Sequence, residues 1–197
     1  MGFRSLRVIN EDYIAAGAGF GTHPHKDMEI ITVVLKGELA HRDSMNHEQT
    51  IRPGEVQHMT AGTGVTHSEY NHSEEEEVHL LQIWILPEKP GLPPAYGQKD
   101  FSEQLKPGNA VLLASHDGRD GSLKVNQDFS LYRAVLEDGS VAVPIESGRH
   151  AWVQVMTGSV DVNGSLLKAG DGAAVSGETL LRLTAQGPSD SLVFDLN

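Results

Sequence analysis

The chain reads as all-β, built from two similar units, on three observations. Runs rich in Val, Ile and Leu recur at strand length throughout. Gly, at 21 residues, and Pro, at 9, punctuate those runs at turn spacing. Two turns of the first half also return in the second: Lys36-Gly37-Glu38 resembles Thr157-Gly158-Ser159 at an offset of 121, and Pro53-Gly54-Glu55 resembles Ala169-Gly170-Asp171 at an offset of 116.

In chain order, strands are expected at 6–9, 30–35, 38–43, 56–60, 66–70 and 78–86. Lys36-Gly37 reads as a hairpin turn and Arg52-Pro53-Gly54-Glu55 as a second, so the first half is an antiparallel β meander or barrel. Pro87, Pro90, Pro93 and Pro94 then fall within eight residues, where neither helix nor central strand can form. The organisation expected is therefore an N-terminal lobe over 1–86, a Pro-rich linker over 87–109 and a C-terminal lobe over 110–197. A short helical turn is expected at 101–105. Strands resume at 110–114, 123–126, 129–136, 141–145, 152–156, 159–162, 180–184 and 192–196.

Composition narrows the function. A formal charge of −12 without a Lys/Arg cluster disfavours direct contact with nucleic acid. No apolar run approaches membrane-helix length and the first residues lack an apolar signal region, so no membrane partner and a cytoplasmic location are expected. With no cysteine, a metal would have to be held by nitrogen and oxygen.

Eight of the ten histidines lie between His23 and His79, and two short pairs stand out, His23-Pro24-His25 and His67-Ser68-Glu69. Residues i and i+2 of a strand share a face, so each pair can present two donors to one point. Pro24 pushes His23 toward the extended backbone this requires. Three imidazoles and a carboxylate suit one divalent transition metal, with Fe(II) favoured and Mn, Co, Ni, Cu or Zn admissible. Transferring the two offsets takes the pairs to Pro144 and Glu146, and to Leu183 and Ala185, so the site belongs to the N-terminal lobe.

Around that site, His41, Asp43, His58 and His79 are candidates for supporting or substrate contacts, although alternation with Leu81 and Ile83 puts His79 on a core face. Met45 and Met59 could line an apolar pocket, and Trp84 and Trp152 read as core anchors. Glu74 to Glu77 reads as a solvated loop. Gly62-Thr63-Gly64 lacks the Lys of a phosphate loop and reads as backbone room beside the metal.

Gly17-x5-His23-x-His25-x3-Glu29-x7-Gly37 and Gly64-x2-His67-x3-Asn71 resemble the two cupin motifs. The segments 19–29, His41-Arg42-Asp43-Ser44-Met45, 61–71 and Leu81-Gln82-Ile83-Trp84 resemble the pirin family more specifically. That resemblance implies a bicupin, two antiparallel β-barrel (jelly-roll) lobes, with the metal ligands His23, His25, His67 and Glu69. The spacing from Glu29 to Gly37 is one residue longer than the general cupin pattern, which should turn Glu29 away from the pocket and leave Glu69 as the carboxylate. Pirin sequences carry further aromatic-rich strands ahead of the match to Phe3, so an uncovered edge on the C-terminal lobe is expected. The resemblance also implies quercetin 2,3-dioxygenase activity, with a flavonol-like substrate, O2, and Glu69 as the base. Its alternative is a metal- or redox-dependent regulator that binds a protein partner without turnover.

Overall fold

β-Branched and aliphatic residues dominate the longest runs that become strands, and shorter, more polar segments pair beside them. In the computed structural model, which describes residues 2–197, they form nineteen strands. The chain divides into two compact units. The first comprises the chain up to Ser102 together with Val125–Gln127; the second comprises Glu103–Lys124 and Asp128–Asn197.

The first unit contains β1 (Leu6–Ile14), β2 (Gly19–His25), β3 (Glu29–Lys36), β4 (Leu39–Asp43), β5 (Glu48–Ile51), β6 (Glu55–Thr60), β7 (Val65–Tyr70), β8 (Val78–Ile85) and β9 (Ala95–Asp100). They form two antiparallel sheets, ordered β1-β8-β3-β6-β9 and β2-β7-β4-β5. Apolar side chains alternate inward between them. Ile14, Val34, Leu39, Ile51, Val78 and Leu80 form one core cluster. Ile30, Met59, Ala61 and Val65 form another, with Met28, Met45 and Trp84 packed against it.

The second unit contains β10 (Asn109–Ser115), a short 3-10 turn (Arg119–Gly121), β11 (Leu123–Lys124), β12 (Phe129–Leu136), β13 (Gly139–Pro144), β14 (His150–Thr157), β15 (Ser159–Val162), β16 (Ser165–Lys168), β17 (Gly172–Ser176), β18 (Leu180–Ala185) and β19 (Ser189–Leu196). Its sheets run β11-β10-β12-β19-β14-β17 and β13-β18-β15-β16. Buried Arg133 holds Asp190 through Nη2 to Oδ2 at 2.6 Å and Nε to Oδ1 at 3.0 Å, so its guanidinium is desolvated with its partner in bidentate register.

The expected repeat is visible in strand order. The run β1-β8-β3-β6 of the first unit reappears as β12-β19-β14-β17, and β2-β7-β4-β5 reappears as β13-β18-β15-β16. The two matched glycines close the equivalent turns. Gly37 and Gly158 have φ of 75° and 72°, where an L side chain is strained. A Cβ on Gly37 would crowd the Glu77 carbonyl, and one on Gly158 would run into that of Pro188. In both units the turn thus presses on the backbone just before the strand that returns beside it.

Several strands lie where none was expected. β5, β16 and β17 fall where the sequence assigned no element, and β9 sits within the Pro-rich 87–109 stretch, paired along β6 from Glu55↔Asp100 to Thr60↔Ala95. Residues 101–105 form turns without a helix, and among the described residues the 3-10 turn is Arg119–Gly121. No helix among the described residues is long and apolar enough to cross a membrane.

Candidate metal centre

Pro24 has no N–H to give a ladder and holds its neighbours extended, and it lies on β2 at the end of its sheet. His23 and His25 therefore share one face of that strand. β2 pairs with β7 so that His23 faces His67 directly, and β7 pairs with β4 so that His67 faces Asp43 and Glu69 faces His41. The register across three strands gathers residues that are distant in sequence.

The three imidazoles meet. Ring centroids lie 4.9 Å apart for His23 and His25, 4.4 Å for His23 and His67, and 4.8 Å for His25 and His67. One nitrogen from each falls within 4.8 Å of the others, a spacing that could hold a metal ion. His23 Nδ1 lies 2.8 Å from the Gly21 carbonyl oxygen, which can only accept, so Nδ1 carries the proton and Nε2 keeps its lone pair. The Nε2 atoms of His25 and His67 are buried and have no protein hydrogen-bond partner. Buried ring nitrogens aimed at one point in this way fit a cation between them.

Glu69 is 2 % exposed on the same face of β7 and belongs to a second grouping within 4.8 Å, with His41 and His67. Its carboxyl accepts two contacts from Gln82 Nε2, at 2.9 and 3.2 Å. Of the two groupings, the first presents partnerless nitrogens. In the second, His67 Nδ1 and His41 Nδ1 stand at hydrogen-bond distance, 3.5 Å, and are already engaged with each other.

Burial sets the electrostatics. Desolvation, reinforced by His23, His25 and His41, pushes His67 down to about 3, so it stays neutral and able to donate a lone pair at any ordinary pH. Burial and then His23 lower His25 as well. Burial raises Glu69 to about 6 against the opposing pull of Gln82. Burial would also raise Asp43, but the N–H and ring of His47, the Met45 N–H and His41 outweigh it and hold Asp43 below its usual range.

The Glu69 shift has a stability consequence. Because its folded value lies above the unfolded one, near 4.5, its contribution is present below that value and is lost as pH rises through about 6. Metal-free Glu69→Gln is therefore expected to gain stability over the parent as pH rises from about 5 to about 8, by on the order of 1 kcal/mol. Paired urea titrations at the two pH values check this, and a difference that does not change with pH refutes it.

The other candidates are distributed as follows. Glu29 is fully buried and turned to His58 Nε2 at 2.7 Å, Thr60 Oγ1 at 3.1 Å and Asn126 N at 3.1 Å, in keeping with the extra residue in its spacing. His58 is thus spent on Glu29. His79 is not a core histidine: it stacks on exposed Tyr13 at 4.1 Å and bonds Glu11 at 2.8 Å, because burial on that face gives out toward the strand end. Met45 and Met59 do join the apolar cluster beside the site. Glu74 to Glu77 are all exposed. Gly62 does not make room for a metal: the space a Cβ would fill there is taken by the Leu92 carbonyl.

Two residues escaped the sequence reading. Trp84, taken as a core anchor, is half-buried with its ring edge-on to His25 at 5.1 Å, and its Nε1 donates to Gln82 Oε1 at 3.1 Å. Gln82 in turn holds Glu69. Alternation along β8 was the available signal, since Gln82 and Trp84 share a face. Beside His25 opens a cavity of about 530 Å³ lined by Pro24, Lys26, Ser44, Gly64, Val65 and Thr66.

Comparison with known proteins gives the relationship. Residues 1–85 match the Pirin family model, and residues 112–196 match the model of the quercetinase C-terminal cupin domain. A curated relative from Escherichia coli K12, named quercetin 2,3-dioxygenase, is 50% identical over 197 residues, covering 100% of this chain and 84% of its own length. The crystal structure of the bacterial pirin YhhW from Escherichia coli in complex with nickel(II) matches with a TM-score of 0.93 at 48% identity, over 100% of this chain and 84% of that one. YhaK from Escherichia coli matches with a TM-score of 0.86 at 29% identity, over 100% and 87%. With two cupin units, a histidine cluster in the first of them and this likeness along its whole length, the chain belongs to the pirin family.

Proposed function

We propose that the protein is a metal-dependent quercetin 2,3-dioxygenase-like enzyme whose ion is held by His23, His25, His67 and Glu69. The observation that carries this reading is the pair of buried, partnerless Nε2 atoms of His25 and His67 converging with His23. The name borne by the relative that is 50% identical supplies the reaction class, and the nickel(II) complex of YhhW supplies a precedent for the ion. Three imidazoles and a carboxylate suit Fe(II), Ni(II) and their first-row neighbours, and bound there such an ion supplies Lewis acidity beside the substrate.

The chain's own groups account for the rest. The cavity beside His25, bordered by Pro24 and Val65, offers a planar flavonol an apolar berth, and the Trp84 ring packs at right angles to that imidazole. Glu69, buried on the same face of β7 as His67, is placed to take the proton of the flavonol 3-hydroxyl. Gln82 donates to that carboxyl and, through Trp84, is itself fixed, so the base is held in one orientation. Both atoms of O2 enter the product as the central ring opens, and one ring carbon leaves as carbon monoxide.

Reconstitution of stripped protein with Fe(II), Mn(II), Co(II), Ni(II), Cu(II) or Zn(II), following flavonol absorbance and carbon monoxide release, tests the proposal. At least one ion is expected to restore both signals together. Silence with every ion overturns the dioxygenase reading. Partner capture that depends on the metal would then favour the regulatory one.

A further inference from the structure

We infer that Asp43 and His41 are positioning residues that fix the tautomer of His67, so that its Nε2 lone pair faces the histidine cluster. The inference deepens the proposed function and rests on His67 as a ligand. It follows from a buried file of hydrogen bonds leading away from the cluster. His67 Nδ1 lies 3.5 Å from His41 Nδ1, and His41 Nε2 lies 3.4 Å from Asp43 Oδ2. All three residues are buried, at 1 %, 1 % and 7 % exposure, so the file is shielded from bulk water.

Its direction is set at the Asp43 end. Oδ1 accepts the backbone N–H of Met45 at 2.8 Å and of His47 at 3.0 Å, while His47 Nδ1 approaches Oδ2 at 3.0 Å. With so many donors the carboxylate is ionised and only accepts. His41 Nε2 must then carry a proton. A neutral His41 has its lone pair on Nδ1, which obliges His67 Nδ1 to donate. The remaining nitrogen of His67, the buried partnerless Nε2, is left unprotonated and free to bind a cation. His23 reaches the same tautomer through the Gly21 carbonyl.

Asp43→Asn should reverse the file while barely changing its shape. The two backbone N–H groups retain the amide oxygen at the Oδ1 position, so the new NH2 takes the place of Oδ2 and points at His41 Nε2. His41 must now accept there and carry its proton on Nδ1, His67 Nδ1 must accept, and the His67 proton moves to Nε2, into the cluster. An aspartate beside a histidine sets the working tautomer in hydrolase triads by the same logic.

The test combines ring 15N spectra of the metal-free protein with Ni(II) calorimetry. Wild type is expected to show His67 protonated at Nδ1, and Asp43→Asn to show it protonated at Nε2, with Ni(II) affinity reduced about 10- to 100-fold. Adding His41→Leu to Asp43→Asn removes the donor that faces His67 and should recover most of that loss. The two substitutions are then strongly non-additive. An unchanged His67 ring pattern in Asp43→Asn, or losses that simply add, overturns the inference. Should Asp43→Asn not fold, His41→Leu alone decides, since the His67 proton must then divide between its two nitrogens; a fixed Nδ1–H refutes the file. Wild type that binds no Ni(II) or other first-row ion would sink the metal reading instead, while the ring spectra would still decide the tautomer.

Discussion

His67→Ala is expected to weaken binding of a first-row divalent ion by more than about 100-fold and to take flavonol turnover to background, with the strands intact. His67 stands nearest the middle of the cluster, opposite His23 across the β2–β7 ladder and within 4.8 Å of both other imidazole rings. Without it, the remaining donors are two rings on one strand and a carboxyl engaged by Gln82. Outer contacts to a ligand are worth roughly 10- to 100-fold in affinity, so a lost ligand should exceed that range. Calorimetry with Ni(II) and the loss of flavonol absorbance measure the two effects, and circular dichroism checks the fold. Affinity within about 10-fold of wild type would remove His67 from the ligand set.

The second large effect falls away from the cluster. His58→Ala should destabilise the protein by about 3 kcal/mol, read as a lower urea midpoint at constant slope. Glu29 is fully buried; His58 Nε2 at 2.7 Å is its shortest partner, and its Oε1 has none among the protein groups. Removing the imidazole withdraws a hydrogen bond from a carboxyl with no water to turn to, and leaves a cavity as well. Metal affinity should stay near wild type, because Glu29 and His58 point away from the three clustered imidazoles. A loss below about 0.5 kcal/mol would mean that Thr60 and Asn126 suffice to hold Glu29.

What could be read from the sequence follows from how local each signal is. β3, β8, β14 and β19 are runs of eight residues whose aliphatic content reports burial, and all four were legible. β5, β16 and β17 are four or five residues long, mostly exposed, and carry no apolar alternation to betray them. β9 follows four prolines and pairs only at the edge of its sheet, so its strand character comes from β6 rather than from its own residues.

The candidate site divides in the same way. Same-face pairs such as His23 with His25 are a property of one strand and can be seen in the chain itself. That Asp43 lies opposite His67, or that Gln82 reaches Glu69, depends on register between separate strands, which neither strand's own residues report. The reading of His79 shows the converse error: its alternation with Leu81 and Ile83 was correct, but parity does not tell where a strand runs out of core. Likewise the offset transfer found no second cluster, and the structure gives the reason. Leu183 and Ala185 occupy the β18 positions that correspond to His67 and Glu69, and both are buried in the apolar core of their own unit.

β2 carries two of the three imidazoles, yet it is the outermost strand of its sheet, laddered to β7 on one side and to no other described strand. An ion bridging His23 and His25 to His67 would act as a rivet through that seam. Peeling the hem of the sheet and releasing the cation then become one event viewed from two ends, and whatever loosens one loosens the other.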